Sequence, residues 1–137
     1  MKNIYKGIIL FLIGGLIYCG IELLARGYTH WTMGVVGGMA FLLIGVLNEY
    51  LPWKLSITTQ ALVGGICITA MEFISGCILN LWLGLNIWNY SQEQYQILGQ
   101  ISLLHSCYWV GLSLIAIWLD DMIRWLLFHE DEPEYRL

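Results

Sequence analysis

Apolar residues form four long stretches along this chain, and most polar and charged residues lie between them. A helix rises about 1.5 Å per residue, so about 20 residues cover the roughly 30 Å hydrocarbon core of a bilayer. Each stretch is close to that length. The pattern therefore predicts an all-α integral membrane protein, a four-helix bundle. The stretches are Gly7 to Ala25, Trp31 to Leu47, Ile57 to Leu81 and Gly99 to Leu119.

The composition favours the same class of protein. Of the 137 residues, 58% are hydrophobic and 12% are charged, against about 45–50% and about 25% in soluble domains. The connections are too short for a separate domain, so we expect one transmembrane domain over residues 1–128 and a short acidic tail over 129–137. We interpret the first stretch as a retained helix, because its apolar core is long and lacks a small-x-small cleavage site. A cleaved signal peptide is the alternative.

Lysine and arginine positions predict the orientation, although the net charge is −4. Cytoplasmic loops of membrane proteins carry the excess of these residues. With four spans, five of the six cations fall on one side and Arg26 falls on the other. We therefore expect a multi-pass protein of the bacterial cytoplasmic membrane, with both termini in the cytoplasm. The five are Lys2, Lys6, Lys54, Arg124 and Arg136.

Several chemistries find no support in the sequence. The chain has no basic tract of the kind that nucleic acid requires. It shows no nucleophile–base pair and no metal-ligand spacing, so we expect no enzyme activity, metal or cofactor. The cysteines lie within the predicted spans, where a small apolar role in a helix interface is the simplest interpretation. They are Cys19, Cys67, Cys77 and Cys107.

The third stretch carries a polar stripe on one helical face, and a carboxylate lies within it. A charge at mid-membrane costs roughly 2.5–3.5 kcal/mol by insertion scales. Glu72 has no cationic residue within two turns of its own helix, so a cation would come from another helix, solvent or a ligand. A functional carboxylate and a protonated packing group both fit. The stripe, at spacings of three and four, is Gly65, Thr69, Glu72, Gly76 and Asn80.

Two other carboxylates have a cation one helical turn away. Glu22 precedes Arg26 by four residues, and Asp120 precedes Arg124 by four. Side chains at this spacing are neighbours on a helix. We predict structural pairs at both places, and for Glu22 a role in binding or transport is equally open.

Small residues at helical spacing predict close helix contacts. Lipid offers no hydrophobic reason for helices to associate, so their interfaces use small residues that let backbones approach. Gly34 and Gly38 form such a seam with Gly45 in the second stretch, and Gly76 lies on the stripe of the third. We predict packing at these positions, within the chain or across a dimer.

The segment NLWLGLNIWNYS follows the third stretch and is rich in Trp, Tyr and Asn. Its aromatics suit the membrane interface. Its Asn and Gly residues suit re-entrant or interfacial backbone, which is tolerated where it is buried in protein or lines a cavity. In the predicted orientation Glu22, Glu72 and His105 all fall in the outer half. We therefore predict an outward-open pocket with Glu72 beneath a polar, aromatic cap.

The stretches MEFISGCILNLWLGLNIWNYS, LGQISLL and AIWLDDMIRWLLF resemble a family of small Firmicute membrane proteins. The family is known as the type IV, or CmpB-like, ABC transporter permeases. RGYTHWTMGVVGG and LIGVLNEYLPW fit it too, so the resemblance covers nearly the whole chain. The positions that match the family pattern, and that the resemblance offers as ligand- or ion-binding candidates, are Glu22, Glu72, Trp88, Tyr90 and Gln100.

The chain departs from the family pattern at three places. It has Asn89 where Asp is usual, Gln94 to Gln96 where a Pro-x-Asn element is usual, and His105 where Phe is more frequent. The last departure weakens His105 as a general functional group. His105 and Asn80 therefore stand as candidates on their position in this sequence alone.

The resemblance implies a transport component without an ATPase of its own. No Walker motif occurs in the chain, so a separate ATPase subunit would supply the energy. At four spans the chain is small for a permease, and a homodimer or another membrane subunit is expected. A cation or an amine suits two carboxylates. The rivals are a non-transporting structural or regulatory subunit and a small channel-forming or holin-like oligomer.

The predicted orientation can be tested by cysteine labelling. In a chain freed of its four cysteines, a cysteine at position 92 should react with a membrane-impermeant maleimide in intact cells. A cysteine at position 56, in the loop expected inside, should react only after permeabilisation. The reverse result would contradict the orientation.

Overall fold

Four α-helices dominate the described part of the chain, which a computed structural model gives as residues 2–50, 55–133 and 135. This confirms the predicted all-α fold. Trp53 and Lys54 of the predicted cytoplasmic loop, and Arg136, lie outside the described residues. The helices are α1 (Lys2–Arg26), α2 (Trp31–Tyr50), α3 (Ile57–Gly76) and α4 (Leu103–Phe128).

Three helical segments are long and apolar enough to cross a membrane, among the residues that are described: Asn3–Arg26, Trp31–Tyr50 and Ile57–Trp82. They correspond to the first three predicted spans. The fourth predicted span forms most of α4, whose crossing of the membrane stays a prediction.

Two compact units make up the chain, one from Met1–Leu55 with Ala116–Arg136 and the other from Ser56–Ile115. The first contains α1, α2, the second half of α4 and the tail. Its apolar core is formed by Leu10, Phe41 and Ile123, all less than a tenth exposed. These three residues come from three different helices, so burial of one small cluster holds them together.

Close glycine contacts join α1 to α2 within the first unit. A Cβ atom added at Gly38 would lie 2.7 Å from the backbone oxygen of Phe11, and one at Gly15 would lie 2.6 Å from the oxygen of Gly34. Such short distances mean that the two backbones pack where only glycine fits. The predicted seam is therefore used within the chain, and Gly34 faces Cys19 Sγ at 3.3 Å from the added Cβ.

The second unit begins with α3, which Ser56 caps by accepting a hydrogen bond from the Thr59 N–H. The helix widens into a π-helical turn over Cys77–Trp82, at the end of the third predicted span. Single-turn π segments inside helices are rare and are often found at functional sites. Here the turn leads directly into the non-helical segment that follows.

A short hairpin precedes α4. Strands β1 (Gln96–Ile97) and β2 (Ile101–Ser102) pair antiparallel, and Gly99 between them has φ +72°. The fourth predicted stretch therefore began too early, because Gly99 to Ser102 belong to the hairpin. Beyond Leu119, where the predicted span ends, α4 continues to Phe128. The hairpin's turn needs the left-handed backbone that glycine adopts most readily.

Helices α3 and α4 touch closely within the second unit. A Cβ atom at Gly65 would lie 2.4 Å from Val110 Cγ2, so glycine is required at this contact. One turn further along α3, Thr69 Oγ1 donates to Ser106 Oγ at 3.1 Å. The polar stripe of α3 thus faces α4.

Replacing Gly38 by leucine should destabilise the α1–α2 pair. The new side chain would collide with the Phe11 backbone, and overpacking of this kind costs about 1–3 kcal/mol. We expect a lower melting temperature of the purified protein in detergent. Gly20→Leu on α1 is the matched control, because no atom lies within 4 Å of the Cβ position there. Equal melting temperatures for the two variants would contradict the contact.

Candidate functional site

The Glu72 carboxylate accepts hydrogen bonds from two aromatic side chains. Trp109 Nε1 donates to Oε1 at 3.0 Å, and the Tyr90 hydroxyl donates to Oε2 at 3.0 Å. The residue is 7% exposed. The two donors come from different elements, α4 and the non-helical segment before the hairpin. We call Glu72, Tyr90 and Trp109 the Glu72 site.

Local structure explains how these three side chains meet. Glu72 lies on the face of α3 that also carries Gly65, and the Gly65–Val110 contact brings α4 close beside it. Trp109 is the neighbour of Val110 in sequence. Tyr90 is held by its own backbone, whose N–H donates to the Gly99 carbonyl at 2.7 Å. The hairpin thus positions one donor and the helix contact positions the other.

His105 lies beside the Glu72 site and extends it. Its ring stacks on Tyr90, with centroids 4.0 Å apart and an interplanar angle of 11°. Its Nδ1 lies 3.2 Å from Glu93 Oε2 and 2.9 Å from Ser102 Oγ. Glu93 is therefore a second carboxylate of this neighbourhood, linked to Glu72 through two stacked rings.

Gln100 joins the end of α3 to the non-helical segment before the hairpin, which we call the cap. Its Oε1 accepts from Asn80 Nδ2 at 2.8 Å, and its backbone oxygen accepts from Trp88 Nε1 at 3.0 Å. Asn80 Oδ1 in turn accepts from the Ile87 N–H at 2.7 Å. A Cβ atom added at Gly76 would lie 2.6 Å from Gln100 Oε1. Asn80, Trp88 and Gln100 are thus brought together, and here they hold the cap in place.

Glu22 and Arg26 lie in the first unit, where Arg26 Nη1 is 3.1 Å from Glu22 Oε2. Glu22 is 7% exposed. The guanidinium also lies 4.5 Å from the centroid of the Tyr28 ring. The i,i+4 pair is present, and a shared pocket for Glu22 and Glu72 stays a prediction.

Sequence reasoning missed Trp109 and Glu93 as neighbours of Glu72. Trp109 shares a weak stripe of α4 with Ser106 and Ser113, which was the available signal. Glu93 offered no such signal, because its position depends on the hairpin. No group of three or more His, Cys, Asp or Glu residues able to hold a metal ion occurs in the described ranges.

The Glu72 site brings together side chains of kinds that interact with cations in proteins. It combines one carboxylate with an indole and a phenol, and a stacked imidazole lies beside them. Aromatic rings attract cations through their electron-rich faces, most strongly where water is excluded. A carboxylate among such rings suits a small organic cation or an amine.

Comparison with known proteins returns one family. The model described as "Putative ABC-transporter type IV" matches residues 13–130. This range includes every residue of the Glu72 site, and also Asn80, Trp88 and Gln100. Comparison with curated proteins and with solved structures finds no match.

Gly76→Ala should destabilise the cap. The added methyl would press on Gln100 Oε1 and Trp88, at a cost of about 1–3 kcal/mol. We expect a lower melting temperature of the purified protein in detergent than for the wild type. Gly111→Ala is the control, since no atom lies within 4 Å of its Cβ position. A normal transition in the Gly76 variant would contradict this contact.

Proposed function

The chain belongs to the family described as "Putative ABC-transporter type IV", and from this premise we propose that it is a permease-like membrane component that binds a small cationic solute at Glu72. The observation that carries the proposal is the buried Glu72 carboxylate with Tyr90 and Trp109 on its two oxygens. Intramembrane carboxylates are rare and commonly mark binding sites or ion pathways.

The geometry supports recognition of charge more than of shape. Both aromatic donors contact Glu72 through a polar edge, which orients the carboxylate. One face of the Tyr90 ring is covered by His105, so we propose that a bound cation meets the electron-rich face of Trp109 and the other face of Tyr90. A permanently charged amine would therefore gain from the carboxylate and from the rings together.

The energy source of the proposed transport is a separate subunit. The sequence contains no Walker motif, so ATP hydrolysis would take place on a partner ATPase. We also propose that the chain performs no covalent chemistry and assembles as a homodimer or with another membrane subunit. Its place is the cytoplasmic membrane of a bacterium, with both termini in the cytoplasm, as the lysine and arginine positions favour.

A second candidate function is a non-transporting membrane subunit. The observation that favours it is that Glu72 already has hydrogen-bond donors on both oxygens from its own chain. A carboxylate held in this way can serve packing alone. The two candidates differ in what the loss of the Glu72 charge does to ligand binding.

Choline binding to the purified protein in nanodiscs tests the proposal. Trp109 touches Glu72 directly, so its fluorescence should report a cation entering the site. We expect a saturable change with choline and none with 3,3-dimethylbutan-1-ol, its uncharged isostere. Glu72→Gln keeps the shape and removes the charge, and it should weaken binding at least tenfold. Binding should also weaken as Glu72 becomes protonated in acid.

Glu49→Gln is the matched control, because Glu49 lies in the other unit and its loss removes the same charge. It should leave choline binding unchanged. Flux of bound choline through proteoliposomes then separates the two candidate functions. A folded Glu72→Gln protein that binds and moves choline at the wild-type rate would remove Glu72 as the working carboxylate, and absence of binding in the wild type would favour the non-transporting subunit.

A further inference from the structure

A second group of buried carboxylates lies toward the C-terminal end of α4, in the first unit, whereas the residues of the Glu72 site belong to the second. Asp120 is 1% exposed and Asp121 is 9% exposed. They are adjacent in sequence, just beyond the apolar stretch that ends at Leu119. We call them, with the side chains around them, the Asp120 cluster.

The two aspartates differ in how their oxygens are satisfied. Asp121 Oδ1 accepts from Asn48 Nδ2, and Asp121 Oδ2 accepts from the Tyr135 hydroxyl at 2.7 Å. Asp120 Oδ2 accepts from Arg124 Nε at 3.0 Å. Asp120 Oδ1 is buried without a hydrogen-bond partner anywhere in the described part of the chain.

The unpartnered oxygen lies against the backbone of α2. A Cβ atom added at Gly45 would be 2.8 Å from Asp120 Oδ1 and 3.2 Å from its Cγ. Glycine at position 45 therefore gives the carboxyl group the space that it occupies. A buried, charged oxygen without a donor is strongly unfavourable, and a proton on that oxygen removes most of the charge.

Among the described residues, too few cations surround the carboxylates to neutralise them. Arg124 is shared, since its Nη1 lies 2.6 Å from Glu49 Oε1 and 3.7 Å from Glu130 Oε2. Lys6 Nζ lies 2.5 Å from Glu130 Oε1. Within residues 2–50, 55–133 and 135, two cations thus face four carboxylates. The charged and titratable groups come from α1 (Lys6), α2 (Glu49), α4 (Asp120, Asp121, Arg124) and the tail (Glu130, Tyr135).

We propose that Asp120 is a proton-binding site, in which Oδ1 takes a proton from a hydronium ion of the solvent, leaving water, and holds it as a neutral carboxylic acid. The O–H bond forms at the one carboxylate oxygen of the pair that lacks a donor. Both oxygens of Asp121 accept hydrogen bonds, which oppose the rise in the pKa of Asp121 that burial causes, so the proton is assigned to Asp120. The site is independent of the solute site proposed at Glu72.

The surroundings of Asp120 place its proton exchange near neutral pH. Burial raises the pKa of Asp120 from 3.8 to about 6, against the opposing effect of Arg124. Burial also raises the pKa of Tyr135, so its hydroxyl keeps donating to Asp121 over the same range. Protonation of Asp120 weakens its ion pair with Arg124, so Arg124 then pairs with Glu49 and Glu130.

The free energy of unfolding should depend on whether this proton is bound. The folded state binds the proton more tightly than the unfolded chain does. The resulting stabilisation of the folded state is therefore complete below about pH 4 and is lost as the pH rises through about 6. The unfolding equilibrium constant should rise roughly a hundredfold across this window from Asp120 alone. Asp120→Asn should remove this dependence, because the amide is neutral at every pH.

Infrared spectroscopy of the purified full-length protein between pH 4 and pH 8 tests the assignment directly. A protonated carboxylic acid has a carbonyl band distinct from that of a carboxylate. We expect the band to appear as the pH falls through about 6 in the wild type and to be missing in Asp120→Asn. Asp131→Asn is the matched control, since Asp131 is exposed, and it should keep the band.

Two results would overturn the proposal. One is a wild-type spectrum without a buried acid band that titrates in this range. The other is a band that survives in Asp120→Asn and disappears in Asp121→Asn, which would move the proton to the neighbour.

Gly45→Ala keeps every titratable group and brings a methyl carbon to 2.8 Å from Oδ1, so it should shift the titration midpoint. An unchanged midpoint would also count against Oδ1.

Discussion

The structure depends on one constraint: polar groups away from water must find their partners inside the protein. Glu72 satisfies it with an indole N–H and a phenol O–H. Gln100 satisfies it by tying the end of α3 to the segment before the hairpin. These bonds cross between helices and non-helical backbone. They hold the cap against α3, which apolar contacts, being non-directional, could not orient.

Glycine is what allows these polar partners to come close enough. Gly65 lets α4 approach α3 beside Glu72, and Gly76 makes room for Gln100. In the first unit, Gly45 does the same for Asp120. Small residues in membrane helices are usually explained by packing alone. In this chain each of the three lies where a polar side chain, or the contact that positions one, needs the space that a methyl would fill.

The two buried carboxylate sites differ in one respect that separates their chemistry. Both oxygens of Glu72 accept a hydrogen bond, which fixes the orientation of the group. Within the described part of the chain, Asp120 has a donor on one oxygen only, and a proton on the other oxygen removes its negative charge. Carboxylate chemistry thus underlies both proposals, the solute site in one unit and the proton site in the other.

What the sequence determined by itself was the local part of this arrangement. The apolar stretches predicted the helices, because burial in lipid requires about 20 apolar residues in succession. Four-residue spacing predicted the Glu22–Arg26 and Asp120–Arg124 pairs, which are present, because helical geometry alone makes such residues neighbours. The family pattern added Trp88, Tyr90 and Gln100 as candidates.

Only the tertiary structure decided which of these residues meet. The pattern of apolar residues did not predict where α4 begins, at Leu103, nor the hairpin before it, nor the π-helical turn after Gly76. Each of these features depends on backbone hydrogen bonds, which hydropathy does not record. The contacts of Glu72 join residues 18 and 37 positions apart. Nor could the sequence predict that Asp120 Oδ1 lacks a hydrogen-bond partner. This follows from the close approach of α2 at Gly45 and from the absence of a donor there within the described residues.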